Sequence, residues 1–303
     1  MRILVSGSTG LIGTALVDHL RGLGYSVGRL VRGDVREAGD VPWNPGQALA
    51  PETLADVDAV VNLAGANVGS RWSAARKQEI LDSRVRSTRT LAEAVAAAQN
   101  DAHKLTLISA SAIGYYGSRG DEVLTEESKA GVGFLAEVCQ AWEQAADPAR
   151  QAGARVVHPR IGLVLSARGG ALAKMLPAFR AGVAGRMGSG RQYWSWITLR
   201  EVVSAIGYTL TNVSLSGPVN LVAPNPVTNT EFTKALAHSL HRPAIVPMPA
   251  PAVRLAFGEM GEETILASQR VQPRKLLESG YQFKYPELAG ALANVLSSVG
   301  SLG

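Results

Sequence analysis

The sequence predicts an α/β fold, with a doubly wound parallel sheet in the first part of the chain and a smaller C-terminal substrate lobe. Three observations carry this. Arg2-Ile3-Leu4-Val5-Ser6 is a short apolar run, as in a strand buried on both faces. Thr14 to Leu23 then spaces Ala15, Leu16, Leu20 and Leu23 along one side of a helix. Further strand-like runs recur at Tyr25–Val31, Asp58–Gly65, Leu105–Ser109, Arg155–Leu165 and Pro218–Val222, and helical stretches alternate with them. With 303 residues and 46% hydrophobic content, the chain has ample material for a core.

Between the first strand and the first helix stand Gly7, Gly10 and Gly13. The first permits a tight turn, the second lets a ligand approach the backbone, and the third lets helix pack on strand. The helix N-terminus offers free N–H groups and a partial positive charge, which suit a pyrophosphate. Gly7, Thr9, Gly10, Leu11, Ile12 and Gly13 are therefore cofactor-binding candidates in a Rossmann-type arrangement. The second strand ends at Arg32, with Asp34 two residues further on. An acid at the strand tip would bond the adenosine ribose and favour NAD; an Arg accommodates the 2′-phosphate of NADP. Arg32 points to NADP(H), the alternative being a solvated loop arginine. The third long run ends in Leu63-Ala64-Gly65, small enough for a cofactor to pass closely.

Composition excludes several classes. No run approaches about 18 apolar residues, so no membrane association is expected. The chain enters a strand without a signal-like segment, and Cys139 is the single cysteine, so a cytoplasmic setting is expected. The net charge of +5 is scattered apart from Arg84, Arg86 and Arg89, which fits an anionic small ligand and no nucleic acid. His238 and His241 lack accompanying ligands, so no metal is expected.

The long helical region from Arg71 to Ala97 places Ile80, Val85, Thr88, Leu91 and Val95 on one stripe. Residues 33–51 read as a loop, and Thr228 or Asn229 as the cap of a helix over Phe232–Leu240. The nucleotide domain is predicted over residues 1–165, completed by about 198–223. Residues 166–197 and 224–303 make the smaller lobe.

The spacing G-x-x-G-x-x-G over Gly7–Gly13 resembles the extended short-chain dehydrogenase/reductase superfamily. The resemblance implies site residues. Ser109-Ala110-Ser111-Ala112-Ile113-Gly114-Tyr115-Tyr116-Gly117 is similar to the superfamily's active-site strand and loop. It implies Ser111, with Ala112 as the alternative register, on the reacting carbonyl or alcohol. Tyr116 or its neighbour Tyr115 would be the proton donor, and Ser109 and Ala110 would lie along the cofactor. Arg160, Ile161 and Gly162 match the segment that passes the nicotinamide. Extended members carry an asparagine where Arg84 stands, so Arg84 and nearby Glu79 are cofactor candidates; a pairing of Arg84 with Glu79, or plain solvation, stays open.

The chain also departs from its relatives. Aligning Glu143 with the glutamate that follows Tyr-x-x-x-Lys puts Leu135 at the Tyr position and Cys139 at the Lys position. Neither can exchange the proton or supply the charge. Nucleotide-sugar epimerases carry an Arg where Trp194 stands. Arg191 and Trp194 are substrate candidates, Trp194 equally a packing residue.

The whole string, from Val61-Asn62-Leu63-Ala64-Gly65 through Ser83-Arg84, Trp142-Glu143 and Gly188-Ser189-Gly190-Arg191-Gln192 to Arg242-Pro243, is similar to an atypical branch of that superfamily, the "epimerase family protein" group. That group lacks the Tyr-Lys pair, and usually has a His and an Asp where this chain has Thr198 and Glu201. The resemblance implies an NADP(H)-binding oxidoreductase or epimerase of a small substrate, with a homodimer as the expected assembly. The alternatives are a non-catalytic NADP-binding regulatory or scaffold protein of the cell- or organelle-division kind, and a true nucleotide-sugar epimerase.

Overall fold

Arg2–Ser6 form β1, which runs through the glycine loop into α1 (Leu11–Gly22) and returns as β2 (Ser26–Val31) in the computed structural model, which describes residues 1–33, 35, 37, 39–100 and 104–300. Then come β3 (Val41–Pro42), β4 (Ala59–Asn62), the long α2 (Ala74–Ala98), β5 (Thr106–Ser109), β6 (Ser111–Ala112) and β7 (Val123–Leu124). Next are α3 (Phe134–Gln144), α4 (Asp147–Gln151), β8 (Arg155–Ile161), β9 (Leu163–Leu165), α5 (Gly170–Arg180), β10 (Tyr193–Trp194) and β11 (Trp196–Thr198). The chain closes with α6 (Leu199–Thr211), β12 (Gly217–Leu221), β13 (Val227–Thr228), α7 (Asn229–Ser239), α8 (Ala250–Phe257), β14 (Arg270–Val271), α9 (Arg274–Glu278) and α10 (Leu288–Gly300).

The main sheet is parallel, in the order β3-β2-β1-β4-β5-β8-β12, with β6 added along β8. The winding reverses between β1 and β4, and the crevice outside their C-terminal ends is where such sheets bind ligands. Successive residues of β1 serve opposite faces. Ile3 and Val5 pack with Leu16 and Leu20 of α1 and Val202 and Ile206 of α6. Leu4 packs with Leu91 and Val95 of α2. All nine of these except Val202 and Ile206 come from the first hundred residues, and every one is fully buried. At about 1.5–3 kcal/mol for each such aliphatic side chain, this burial decides the register of β1.

A third core joins Leu172, Leu176, Phe179, Trp196, Phe232 and Leu292 in the C-terminal lobe. One boundary needs correction. The sequence places all of 224–303 in that lobe, yet Leu276 and Tyr281 are buried in the α1/α6 core of the sheet domain. Glu201 of α6 explains the docking, since it accepts from Tyr281 Oη at 3.3 Å and from the Lys284 N–H at 3.0 Å. The loop expected over 33–51 contains β3, a two-residue edge strand that pairs Val41 with Leu30 and Pro42 with Val31. Proline is tolerated there because the outer edge needs no donor.

Thr228 is the cap of α7. Its hydroxyl accepts from the Glu231 N–H at 3.2 Å, and its own N–H donates to the Glu231 carboxylate at 2.7 Å, a complete capping box. Those bonds hold the Glu231 carboxyl below its ordinary value. A carboxylate with a depressed folded-state pKa stabilises above its unfolded value and loses that contribution as pH falls. Glu231→Gln is expected to cost about 1 kcal/mol near pH 7 and almost nothing near pH 2, below both the folded and the unfolded pKa. Urea midpoints of both proteins across that range check this; a constant gap would refute it.

Candidate cofactor and active site

The glycine loop is held by close contact. Gly7 has φ +67°, and a β-carbon there would stand 2.6 Å from the Leu63 carbonyl. A β-carbon on Gly13 would stand 2.1 Å from the Gly7 oxygen. The Gly10 N–H closes the turn onto the Gly7 oxygen at 3.0 Å, and the Thr14 N–H makes the first helical bond to the Gly10 oxygen at 2.9 Å. The N–H groups of Leu11, Ile12 and Gly13 are thereby left without intrahelical carbonyls at the mouth of the β1/β4 crevice.

Gly7 to Gly10, Arg32, Leu63, Ala64, Gly65 and Glu79 line a single cleft of about 780 Å³. Arg32 is exposed and makes no ion pair among the described residues. The other strand-tip arginine, Arg29, is committed to Asp40 through bonds of 2.8 and 2.7 Å. Among the described residues, Arg32 is thus the cation left available at the β2 end. Asp34 lies outside the described residues. Trp43, Asn44, Pro45 and Ser83 also line the cleft and escaped the sequence reading. Trp43, Asn44 and Pro45 lie in the stretch read as a loop, and it is the pairing of β3 with β2 that brings them to the nucleotide cleft.

Glu79 pairs with Arg76, so it does not pair with Arg84. The Arg84 Nη1 donates to the Ala66 and Ile80 carbonyls, each at 3.0 Å, and its guanidinium lies 4.9 Å from the Trp142 ring centre.

The active-site strand carries a buried network. Arg160 Nε and Nη2 each donate to the Glu143 carboxylate at 2.8 Å. Arg160 Nη1 donates to Tyr116 Oη at 3.1 Å, Tyr116 donates to Asn220 Oδ1 at 2.7 Å, and Ser111 donates to Glu143 at 2.7 Å. The structure therefore brings Ser111, Tyr116 and Arg160 together, but as a tie between α3, β6, β8 and β12. Tyr116 is fully buried. Burial raises its phenol to about 12, so the expectation that it donates a proton to substrate is corrected. Tyr115 is half-buried, its ring lies 3.4 Å from the Arg160 guanidinium, and its hydroxyl makes no hydrogen bond among the described residues.

The remaining candidates divide. Ser109 is buried, its hydroxyl 3.1 Å from that of Thr88, and Ala110 is buried beside it, so neither side chain lines the cleft. Ile161 and Gly162 are half-buried at the end of β8. Gly162 serves chain packing, since a β-carbon would stand 2.6 Å from the Ser195 oxygen. Leu135 packs on Gly114, and the Cys139 thiol donates to the Ala112 oxygen at 3.6 Å. Burial raises that thiol to about 11, so it is inert at neutral pH. Trp194 is corrected to a packing residue. It is buried, meets Phe232 edge-on at 5.1 Å, and donates to the Ile265 oxygen at 3.2 Å. Arg191 is exposed and lines a second cleft of about 550 Å³ with Tyr193, Thr230 and Asp121. Thr198 caps α6.

Removal of the Arg160 guanidinium would strand the Glu143 carboxylate. Arg160→Met is expected to cost about 3–5 kcal/mol, and adding Glu143→Leu to recover part of it. Thermal and urea unfolding of the double-mutant cycle measures the coupling, which additivity of the two single effects would disprove.

Comparison with known proteins identifies the family. Residues 3–221 match the NAD dependent epimerase/dehydratase family, and residues 248–295 match a domain of unknown function, DUF1731. The chain is 47% identical over 292 residues to the epimerase family protein Mb2239 of Mycobacterium bovis, covering 96% of each. The crystal structure of human epimerase family protein SDR39U1 with NADPH superposes with a TM-score of 0.86 at 32% identity, covering 98% of this chain and 99% of that one. A nucleoside-diphosphate sugar epimerase from Corynebacterium glutamicum superposes with a TM-score of 0.81 at 37% identity, covering 98% of this chain and 58% of that one. The family match over residues 3–221, with DUF1731 following it, leads to one conclusion: the chain belongs to the NAD-dependent epimerase/dehydratase family and resembles the epimerase family proteins along its length.

Proposed function

We propose that this protein binds NADP(H) and acts as an oxidoreductase or epimerase on a small substrate in a reducing compartment such as the cytoplasm. The observation that carries this is the cleft that runs from the glycine loop to Arg32. It offers free N–H groups for a pyrophosphate and one uncommitted guanidinium for a 2′-phosphate. NADPH in the related human structure supports the choice of cofactor. When bound, the nicotinamide supplies hydride to, or removes it from, a carbon that bears oxygen. The protein's own residues orient it: the α1 N-terminus takes the phosphates, and Leu63, Ala64 and Gly65 leave room beside them.

The acid is non-standard. Leu135 carries no proton and Tyr116 is sealed, which leaves Tyr115 as the phenol with an uncommitted hydroxyl on the active-site loop. The substrate class is a small carbonyl compound. A nucleotide sugar is disfavoured because Trp194 occupies the place of a phosphate-binding arginine. A second reading, a cofactor-binding protein without turnover, draws on the burial of Ser111 and Tyr116.

Fluorescence titration is expected to show tighter binding of NADPH than of NADH, with Arg32→Glu weakening NADPH about tenfold or more, as loss of a charge-assisted bond would. Equal affinities in both proteins would overturn the role of Arg32. Consumption of NADPH with a panel of ketones, enones and UDP-sugars, abolished by Tyr115→Phe, supports the catalytic reading. Tight binding with no turnover across the panel supports the second.

A further inference from the structure

Arg84 is a cation without an anion. Its side chain is largely withdrawn from water, and no carboxylate among the described residues pairs with it. Glu79, one helical turn earlier, is taken by Arg76. Cys139, close enough for its charge to matter, stays a neutral thiol. The guanidinium's bonds to the described residues both leave from Nη1, to Ala66 and Ile80, so among the described residues Nε and Nη2 have no partner. Trp142 backs one face of the group. Neither Nε nor Nη2 is among the buried polar atoms that lack a partner, so both reach solvent and are open to a ligand.

The place of this charge in the fold suggests the partner. A β-carbon on Gly65 would stand 3.1 Å from Arg84 Cζ, so the guanidinium lies against the chain just beyond β4. A dinucleotide with its phosphates on α1 sends one half over β2 toward Arg32 and the other over β4 and β5. Arg84 stands on the second side.

We infer that Arg84 binds a hydroxyl oxygen of the nicotinamide-side ribose and makes the site favour the uncharged dihydronicotinamide over the nicotinamide cation. This rests on the NADP(H) reading above. Nε and Nη2 donate to the oxygen. The uncompensated positive charge repels the oxidised ring, which carries a full positive charge, and not the reduced one. At a separation of several ångströms in a partly screened site, that difference is worth about a tenfold ratio of affinities.

The test is the ratio of NADP⁺ to NADPH dissociation constants, by calorimetry, for the natural protein, Arg84→Lys and Arg84→Met. The natural protein is expected to bind NADPH more tightly. Arg84→Lys should keep most of that preference, and Arg84→Met should lose about tenfold of it while both forms bind more weakly. Circular dichroism and thermal melting confirm that each variant is folded, and the Lys variant carries the comparison if the Met variant is not. An unchanged ratio in a folded Met variant overturns the role of Arg84, as does a ratio in the Lys variant equal to that in the Met variant. Failure of the natural protein to bind either form overturns the cofactor reading itself, and the role of Arg84 with it.

Discussion

A β-carbon at Gly13 would collide with the carbonyl oxygen of Gly7, and one at Gly7 with the carbonyl of Leu63. These two exclusions bring α1, β1 and β4 to a single point. The sheet reverses its winding there, the helix N-terminus opens there, and the nucleotide cleft begins there. Because the contacts are backbone to backbone, no rotamer change could relieve a side chain at either position. Ser6 and Asn62 reinforce the junction from below with a hydrogen bond of 2.6 Å between the tips of β1 and β4.

The opposite end of the crevice is organised by charge. Arg160 and Glu143 form a bidentate buried pair that takes up Ser111 and, through Tyr116, Asn220. A buried pair of this kind is weak evidence for net stability, but it fixes geometry, because each partner is costly to leave alone. In this chain it locks the strand and loop that resemble a catalytic element. The groups the resemblance would use for chemistry are spent on structure, and on that loop the Tyr115 hydroxyl makes no hydrogen bond among the described residues.

The C-terminal region closes the arrangement. Helix α3 starts at Gly133, which has no side chain to cap it; the carboxylate of Glu263 bonds the Phe134 and Leu135 N–H groups at 2.8 and 2.7 Å. Glu259 pairs with Lys77 on α2 at 2.6 Å. Together with the docking of Leu276 and Tyr281, these contacts make residues 248–295 part of the site's frame as well as a lobe.

Much of the fold was legible in the residues because its determinants are local. Glycine spacing, the period-two burial of β1 and the apolar stripe of α2 each lie within one element, and the nucleotide loop with Leu63 to Gly65 followed from them. Burial of a particular hydroxyl depends on what other elements place around it, and no local pattern carries that. Ser111 and Tyr116 look reactive in the chain; Glu143 from α3, Arg160 from β8 and Asn220 from β12 make them structural. Trp194 became core because Phe232 meets it. Arg84 looked like a possible partner of Glu79 until Arg76 took that carboxylate. By itself, then, the sequence determined the nucleotide-binding frame and the cation at its β2 end. Only the tertiary structure decided which polar groups remain free to act, because a side chain is freed or consumed by neighbours distant in the chain.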